Sequence, residues 1–422
     1  MASQPDTARI PPAFASTDAV LHIGGRSVEA LAERHGTPLY AYDGAVIADR
    51  LDQLRHHLPE RARLTYAIKA NPMPELLAWL TPRVEGLDVA SGGEIERALA
   101  AGAAPADISF AGPGKTRDEI ARAIEAGITI GLESRTQLDT VAELAAKAGS
   151  PPRVCLRLNP DFQVKGSGMR MGGGAQPFGV DTERAPELLR AIHDQGLELA
   201  GLHIFAGSQN LNAEVIAEAQ QRSMDLALEL LRDAPRAPEF INLGGGFGIP
   251  YFPGDKPLDL AAVAGRLHSL DQKLAAALPG THMVIELGRY IVGEAGVYVT
   301  RIVDRKISRG HTYLITDGGM NHHLAASGNL GQVLRKNYPV AIANRLREPE
   351  AEPVTVSGPL CTPLDVLADR IALPHAEVGD LVAVFQSGAY GLSASPVGFL
   401  GHPAPEEVFL PGEGRPEPVD RG

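Results

Sequence analysis

The segment Leu64-Thr-Tyr-Ala-Ile-Lys-Ala-Asn-Pro72 sets a lysine, Lys69, at the end of a short apolar run and directly ahead of Asn-Pro, a pair that stops strands. A lysine so placed can act as an amine nucleophile toward a carbonyl. Further on, Gly244-Gly-Gly-Phe-Gly248 follows the apolar run 240–243, and its unshielded N–H groups form the kind of turn that binds a phosphate. Glu286 closes another apolar run, 283–286. Amine, phosphate cradle and acid are the groups that hold pyridoxal phosphate. The amine takes the aldehyde as a Schiff base, and a carboxylate facing the pyridine nitrogen keeps it protonated, so that the ring accepts electrons from the α-carbon.

These groups need a scaffold that gathers strand ends. Short apolar, β-branched runs at 64–69, 86–90, 108–111, 128–133, 154–158, 199–205, 240–243 and 283–286 alternate with stretches of helical period such as 118–126 and 134–148, the latter opening on a Ser cap. That alternation predicts an α/β fold, a (β/α)8 barrel over residues 44–295. From residue 296 the pattern changes to shorter runs, 297–303, 312–316, 354–356 and 381–385, separated by Gly/Pro turns, which predicts a mainly β domain over 296–410. The segment 1–43 holds similar runs and is expected to pack with that domain; 411–422 reads as a frayed tail.

Chemistry in such a barrel sits at the C-terminal ends of the strands. There the sequence places Lys69, Asp88, Ser91 with Glu94, Glu133, Arg157 with Asn159, His203 with Ser208, Gly244 to Gly246, and Glu286 with Arg289. Polar residues are common where strands stop, but chance accounts poorly for a whole ring of them.

The 422 residues, 44% of them hydrophobic, are enough for a barrel and a second domain. A net charge of -12 without any Lys/Arg block excludes nucleic acid and anionic membranes as natural partners and leaves small molecules. Two cysteines, Cys155 and Cys361, make neither a disulfide framework nor a metal-ligand spacing, so no metal is expected, and they suit a reducing cytoplasm. Residues 1–12 lack the character of a signal peptide, and no run approaches a spanning helix.

With these motifs together, the chain from about residue 37 to 410 resembles the fold-type III pyridoxal-phosphate decarboxylases, which include diaminopimelate and ornithine decarboxylases. The resemblance rests on Tyr66-Ala-Ile-Lys-Ala-Asn71, Gly86-Leu-Asp-Val-Ala-Ser-Gly-Gly-Glu94, Gly207-Ser-Gln209, residues 244–248, Glu286-Leu-Gly-Arg289, Gly358-Pro-Leu-Cys361 and Gly388-Ala-Tyr390. The wording is closest to a bacterial subgroup known as exosortase-A-system-associated pyridoxal-dependent decarboxylases.

The resemblance implies that Lys69 is the Schiff-base lysine, that Ser208 with the backbone of Gly244, Gly245 and Gly246 binds the phosphate, and that Glu286 partners the pyridinium. Asp88, His203, Phe205 and Gly288 complete the expected cofactor set, and Arg289 lies beside phosphate and substrate carboxylate. Cys361 resembles the cysteine that crosses a dimer interface to reprotonate the α-carbon, and Tyr390 the tyrosine that touches the phosphate from the partner chain. A head-to-tail homodimer with shared sites follows. Arg157, Arg289, Thr362 and Asp365 are the expected substrate contacts.

The sequence departs from the family at three points. Phe205 stands where a histidine normally stacks on the ring, with His203, two residues back on the same side of an extended strand, as the nearest titratable group. Cys361 is followed by Thr362-Pro363 instead of the acid that accepts a distal ammonium, leaving Asp365 or Asp317 as the nearest candidates. After Asp317-Gly-Gly-Met-Asn-His-His-Leu324, where diaminopimelate decarboxylases carry an arginine for the distal carboxylate, there is none until Arg335. The Gly-rich loop 159–180 is placed to close over the site. The expected reaction is α-decarboxylation of an L-amino acid or derivative, releasing CO2 and an amine. Three variants stay open: a free diamino acid such as diaminopimelate, an aminoacyl group tethered to a carrier protein, and, disfavoured by Glu286, racemisation.

Overall fold

The computed structural model describes residues 6–7, 10–15, 18–146, 151–162, 169–170, 172–232, 234–252, 254–330, 332, 335–349 and 352–412. The chain divides into two compact units, one drawn from residues 51–249 and 257–290, the other from 1–50, 250–256 and 291–415.

The first unit is a closed parallel barrel. Its strands are β1 (Arg63–Ala67), β2 (Gly86–Val89), β3 (Ile108–Phe110), β4 (Thr129–Leu132), β5 (Arg153–Asn159), β6 (Glu198–Ile204), β7 (Phe240–Gly245) and β8 (His282–Leu287). They pair in sequence order, and β8 returns to β1 with Glu286 opposite Thr65. Inward and outward faces are both covered, so the strands read as near-continuous buried runs. The eight apolar runs of the sequence are these eight strands.

One expectation is corrected in a way that matters for the site. The first strand stops at Ala67, and Lys69 lies in a 3-10 turn, Ile68–Ala70, not in the strand. Pro72 has no N–H to continue a ladder, and Asn71 bends the chain: its Oδ1 accepts the N–H of Met73 at 3.1 Å while its carbonyl accepts the Tyr66 hydroxyl at 3.0 Å. Local chemistry also fixes the helices. Thr116 and Glu119 form a capping box ahead of Arg117–Ala126, which Gly127 ends in the left-handed region at φ 78°. Ser134 caps Arg135–Ala145, so that helix is shorter than the 134–148 expected; residues 147–150 lie outside the described ones.

In the second unit Leu39–Asp43 pairs antiparallel with the long strand Gly296–Ser308 and parallel with Glu406–Leu410. Gly296–Ser308 also pairs with Leu381–Val384 and His311–Thr316, and the sheet continues through Glu352–Ser357 to Val366–Leu373. Leu39, Ala41, Val297, Val299, Leu381, Ala383 and Phe385 form part of its core. No helix among the described residues is long and apolar enough to cross a membrane.

His323, fully buried in this unit, predicts an acid limb of stability. Its Nδ1 accepts the Ala326 N–H at 3.2 Å, so Nε2 carries the proton and donates to Ser387 Oγ at 2.8 Å. Burial pushes its pKa down to about 3. An unfolded histidine protonates near 6.5, so the unfolded chain binds the extra proton first, and stability falls as pH drops from about 6.5 toward 3, at about 1.4 kcal/mol per pH unit for one proton. Unfolding titrations of wild type and His323→Gln should show a shallower acid limb in the variant.

Candidate active site

The strand register brings the polar ends together at the barrel mouth. Ala67 pairs with Asp88, and Asp88 with Ser109. On the far side Arg157 pairs with His203 and His203 with Asn242, and an irregularity in β7 then sets Gly245 opposite Glu286.

Lys69 Nζ stands between two buried carboxylates, 3.1 Å from Asp88 Oδ2 and 3.6 Å from Glu286 Oε1, while its own side chain remains 43% exposed. Buried acids thus aim an accessible amine. His203 Nε2 lies 3.2 Å from Glu286 Oε2, and the Asn242 amide donates to the same oxygen at 3.1 Å. The two acids are driven apart. Burial, then the charge of Glu286, raises Asp88 to about 6 against the pull of Lys69 and His203. Burial also acts against ionised Glu286, but Lys69 and His203 outweigh it and hold that carboxyl well below the usual carboxylate range. Glu286 is therefore a fixed anion in the barrel wall, the charge state required to keep a pyridine nitrogen protonated.

The turn 244–246 is built from glycine by necessity. Gly244 and Gly246 sit at φ 66° and 73°, and a Cβ at either would stand 2.4 Å from the Phe205 ring or 2.3 Å from the Gly207 carbonyl oxygen. A Cβ at Gly245 would meet the Glu286 carbonyl oxygen at 2.3 Å. Asn242 Oδ1 accepts the Gly244 N–H at 2.8 Å, so one amide side chain orients both the acid and the first turn of the cradle. Ser208 lies in the short strand Gly207–Ser208, which pairs with Met169–Arg170 at the end of the long loop; residues 163–168 and 171 of that loop lie outside the described ones. Gly288 brings the end of β8 against Ala67 and Ala70, beside the Lys69 turn, and Arg289 opens the helix that follows.

Several expected residues have partners within the chain. Arg157 is buried: it pairs with Glu133 at 3.0 Å, and its guanidinium lies 5.4 Å from the centre of the Phe178 ring. Glu133 thus holds the charge of a residue that the sequence offers as a substrate contact. Asp365, another expected substrate contact, is also held within the chain. Only 2% exposed, it accepts the N–H groups of Met320 and Leu360 at 2.6 and 2.8 Å, and a Cβ on Gly319 or Gly358 would strike its carboxylate. It braces the turn that carries Cys361. Thr362 Oγ1 accepts the Leu364 N–H at 3.3 Å in the same turn. Cys361 itself is exposed, and Tyr390 takes a left-handed conformation at φ 54°, which is strained for a tyrosine. Both belong to the second unit.

Asn242 and Lys115 did not stand out in the sequence. The signal for Asn242 was a lone amide in an apolar strand just before the glycine run. Lys115 is buried and donates to the carbonyls of Gly112 and Gly131 at 2.6 and 2.7 Å, bracing the barrel interior near Glu133.

The barrel, its lysine between two acids and its glycine turn define a pyridoxal-phosphate enzyme, and the chain belongs to the pyridoxal-dependent decarboxylases: residues 45–293 match the family's pyridoxal binding domain. Among its relatives is the L-glutamyl-[BtrI acyl-carrier protein] decarboxylase of Niallia circulans, 39% identical over 92% of each chain. The diaminopimelate decarboxylase of Aquifex aeolicus is 34% identical over 90% of this chain and 88% of its own. The crystal structure of the Helicobacter pylori diaminopimelate decarboxylase with L-lysine superposes with a TM-score of 0.81 at 30% identity, over 90% of this chain and 93% of that one.

The residues present fit the cofactor: an exposed amine tip, a buried anion beside it and a turn in which three successive side chains are sterically excluded. When bound, pyridoxal phosphate supplies an electron sink for the pair left at the α-carbon as CO2 departs. The chain is a decarboxylase of amino-acid-like substrates.

Proposed function

We propose that the chain α-decarboxylates an aminoacyl group tethered to a carrier protein through its side-chain carboxyl, a glutamyl group being the simplest case. It acts as a homodimer in which each site takes Cys361 and Tyr390 from the other chain. In this reading Lys69 holds the cofactor aldehyde, Glu286 faces the pyridine nitrogen, and Ser208 with the 244–246 backbone and Arg289 hold the phosphate. The Cys361 thiol returns a proton to the α-carbon after CO2 has left.

The observation that carries the substrate is the engagement of the acids that would otherwise bind a distal ammonium. Asp365 spends both oxygens on backbone N–H groups. Asp317 accepts the Thr37 and Thr300 hydroxyls at 2.5 and 2.6 Å and the Arg301 N–H at 2.9 Å. Arg335, the nearest cation for a distal carboxylate, donates to the Val366 carbonyl. A substrate whose far end is charged finds no partner among these residues, and a site without that partner loses its hold on such ligands. The reaction consumes a free α-carboxylate and needs a free α-amine, so a glutamyl group on a carrier must be joined through its side chain. That linkage removes the distal charge. The Niallia circulans relative, named for a glutamyl carrier substrate, supports the same reading.

Diaminopimelate decarboxylation is the second reading, favoured by the 34% identity to the Aquifex aeolicus enzyme. The two separate on CO2 release from the side-chain glutamyl thioester of pantetheine, free glutamate, meso-diaminopimelate, lysine and ornithine. The thioester should exceed every free amino acid in kcat/KM by about 100-fold. Faster release from meso-diaminopimelate would establish the second reading instead.

A further inference from the structure

We infer that Gln220 is a positioning residue for the phosphate corner, its buried amide holding one water in a cavity between the helix Ala213–Leu230 and the two glycine turns of the cradle. This rests on the cradle being the phosphate site.

Along the inward face of that helix, Ile216, Met224 and Ala227 pack against the barrel, and Gln220 interrupts them with an amide that is only 3% exposed. Neither its Nε2 nor its Oε1 has a hydrogen-bond partner among the described residues. An amide offers two donors and an acceptor, and leaving them unmade in the interior costs stability that a leucine or methionine would not. The side chain lines a cavity of about 20 Å³ bordered by Gly207, Asn210, Gly245 and Gly246. One water needs roughly 10–15 Å³ and two or more polar partners, and this cavity offers both.

The position of the cavity gives the water a consequence. Its two walls are already tied: Asn210 donates its N–H to the Gly246 carbonyl at 2.9 Å, and Gly246 lies so close to Gly207 that no side chain fits between them. They behave as one body, anchored to β6 and β7 but backed on the helix side by Gln220. A water bridging that amide to the turn backbone fixes the direction of the cradle N–H groups, which is the property that phosphate binding requires. A destabilising polar residue kept at such a place is the expected mark of a binding requirement.

The test compares Gln220→Met, which keeps the volume and removes the hydrogen bonds, with wild type. Three quantities are read: melting of the apoprotein, and equilibrium binding of pyridoxal phosphate and of pyridoxal, which lacks the phosphate. The variant should melt at or above wild type, bind pyridoxal phosphate about 10-fold more weakly, as for loss of one hydrogen bond, and bind pyridoxal unchanged. Gln220→Glu, which keeps an acceptor but sets a carboxylate behind the phosphate, should weaken phosphate-selective binding further. Equal weakening of both ligands would show general loosening and overturn the inference. Gly246→Ala separates the two levels. If it abolishes the preference for pyridoxal phosphate while Gln220→Met does not, the cradle stands and the role of Gln220 falls; if neither variant moves the preference, both fall.

Discussion

Lys69→Ala is expected to retain the fold yet lose the visible absorbance of lysine-bound cofactor and about 10⁴-fold or more in decarboxylation. Three losses coincide in this variant. The amine that takes the cofactor aldehyde is gone, so substrate must condense with free aldehyde instead of exchanging with an activated one. The proton the ammonium would give or take near the reacting carbon is lost, and positioned proton transfer alone provides about 10²–10⁴-fold. Finally, Asp88 and Glu286, 3.1 and 3.6 Å from Nζ, are left facing each other without their common cation. Lys69 lowers the pKa of both, so its removal raises both. Glu286 would then take up a proton at a higher pH and lose its hold on the pyridine nitrogen. Near-normal turnover with the absorbance band intact would place the cofactor elsewhere.

Cys361→Ala is the second large effect, about 10²–10⁴-fold in turnover, with a signature in the products. In the proposed reaction the thiol acts only after CO2 has left, so a rapid single-turnover release of CO2 should survive while amine formation slows. The exposed thiol, carried on a turn braced by Asp365, has the access such a role needs. Measuring CO2 and amine in parallel under single-turnover conditions checks it; equal loss of both would assign Cys361 to binding or to bond cleavage instead.

The barrel was legible because each of its strands is a short, largely apolar run set off from the stretches of helical period between them, a local pattern that survives tertiary packing. One strand of the second unit was not. Val366–Leu373 reads Val-Leu-Ala-Asp-Arg-Ile-Ala-Leu, and its pairing with Glu352–Ser357 is broken by register shifts around Arg370, which itself takes φ 50°. Those bulges destroy the alternation that would mark a half-buried strand. Within the site, residue type and spacing pointed to Lys69, Glu286 and the glycine turn, since their positions follow from the strand ends. For Arg157 and Asp365 the sequence could not show what engages them, because whether a polar side chain is free for a ligand depends on partners far away in sequence, Glu133 for one and Met320 for the other. Asn242 was passed over because a single amide in a strand carries no spacing of its own.

The central claim, a carrier-borne amino acid decarboxylated through Lys69, is tested most directly by the intact mass of an acyl-carrier protein loaded with side-chain-linked glutamate and incubated with the holoenzyme. The account predicts that the carrier loses the mass of one CO2 with wild type and none with Lys69→Ala. An unchanged carrier alongside rapid conversion of free meso-diaminopimelate to lysine would contradict it.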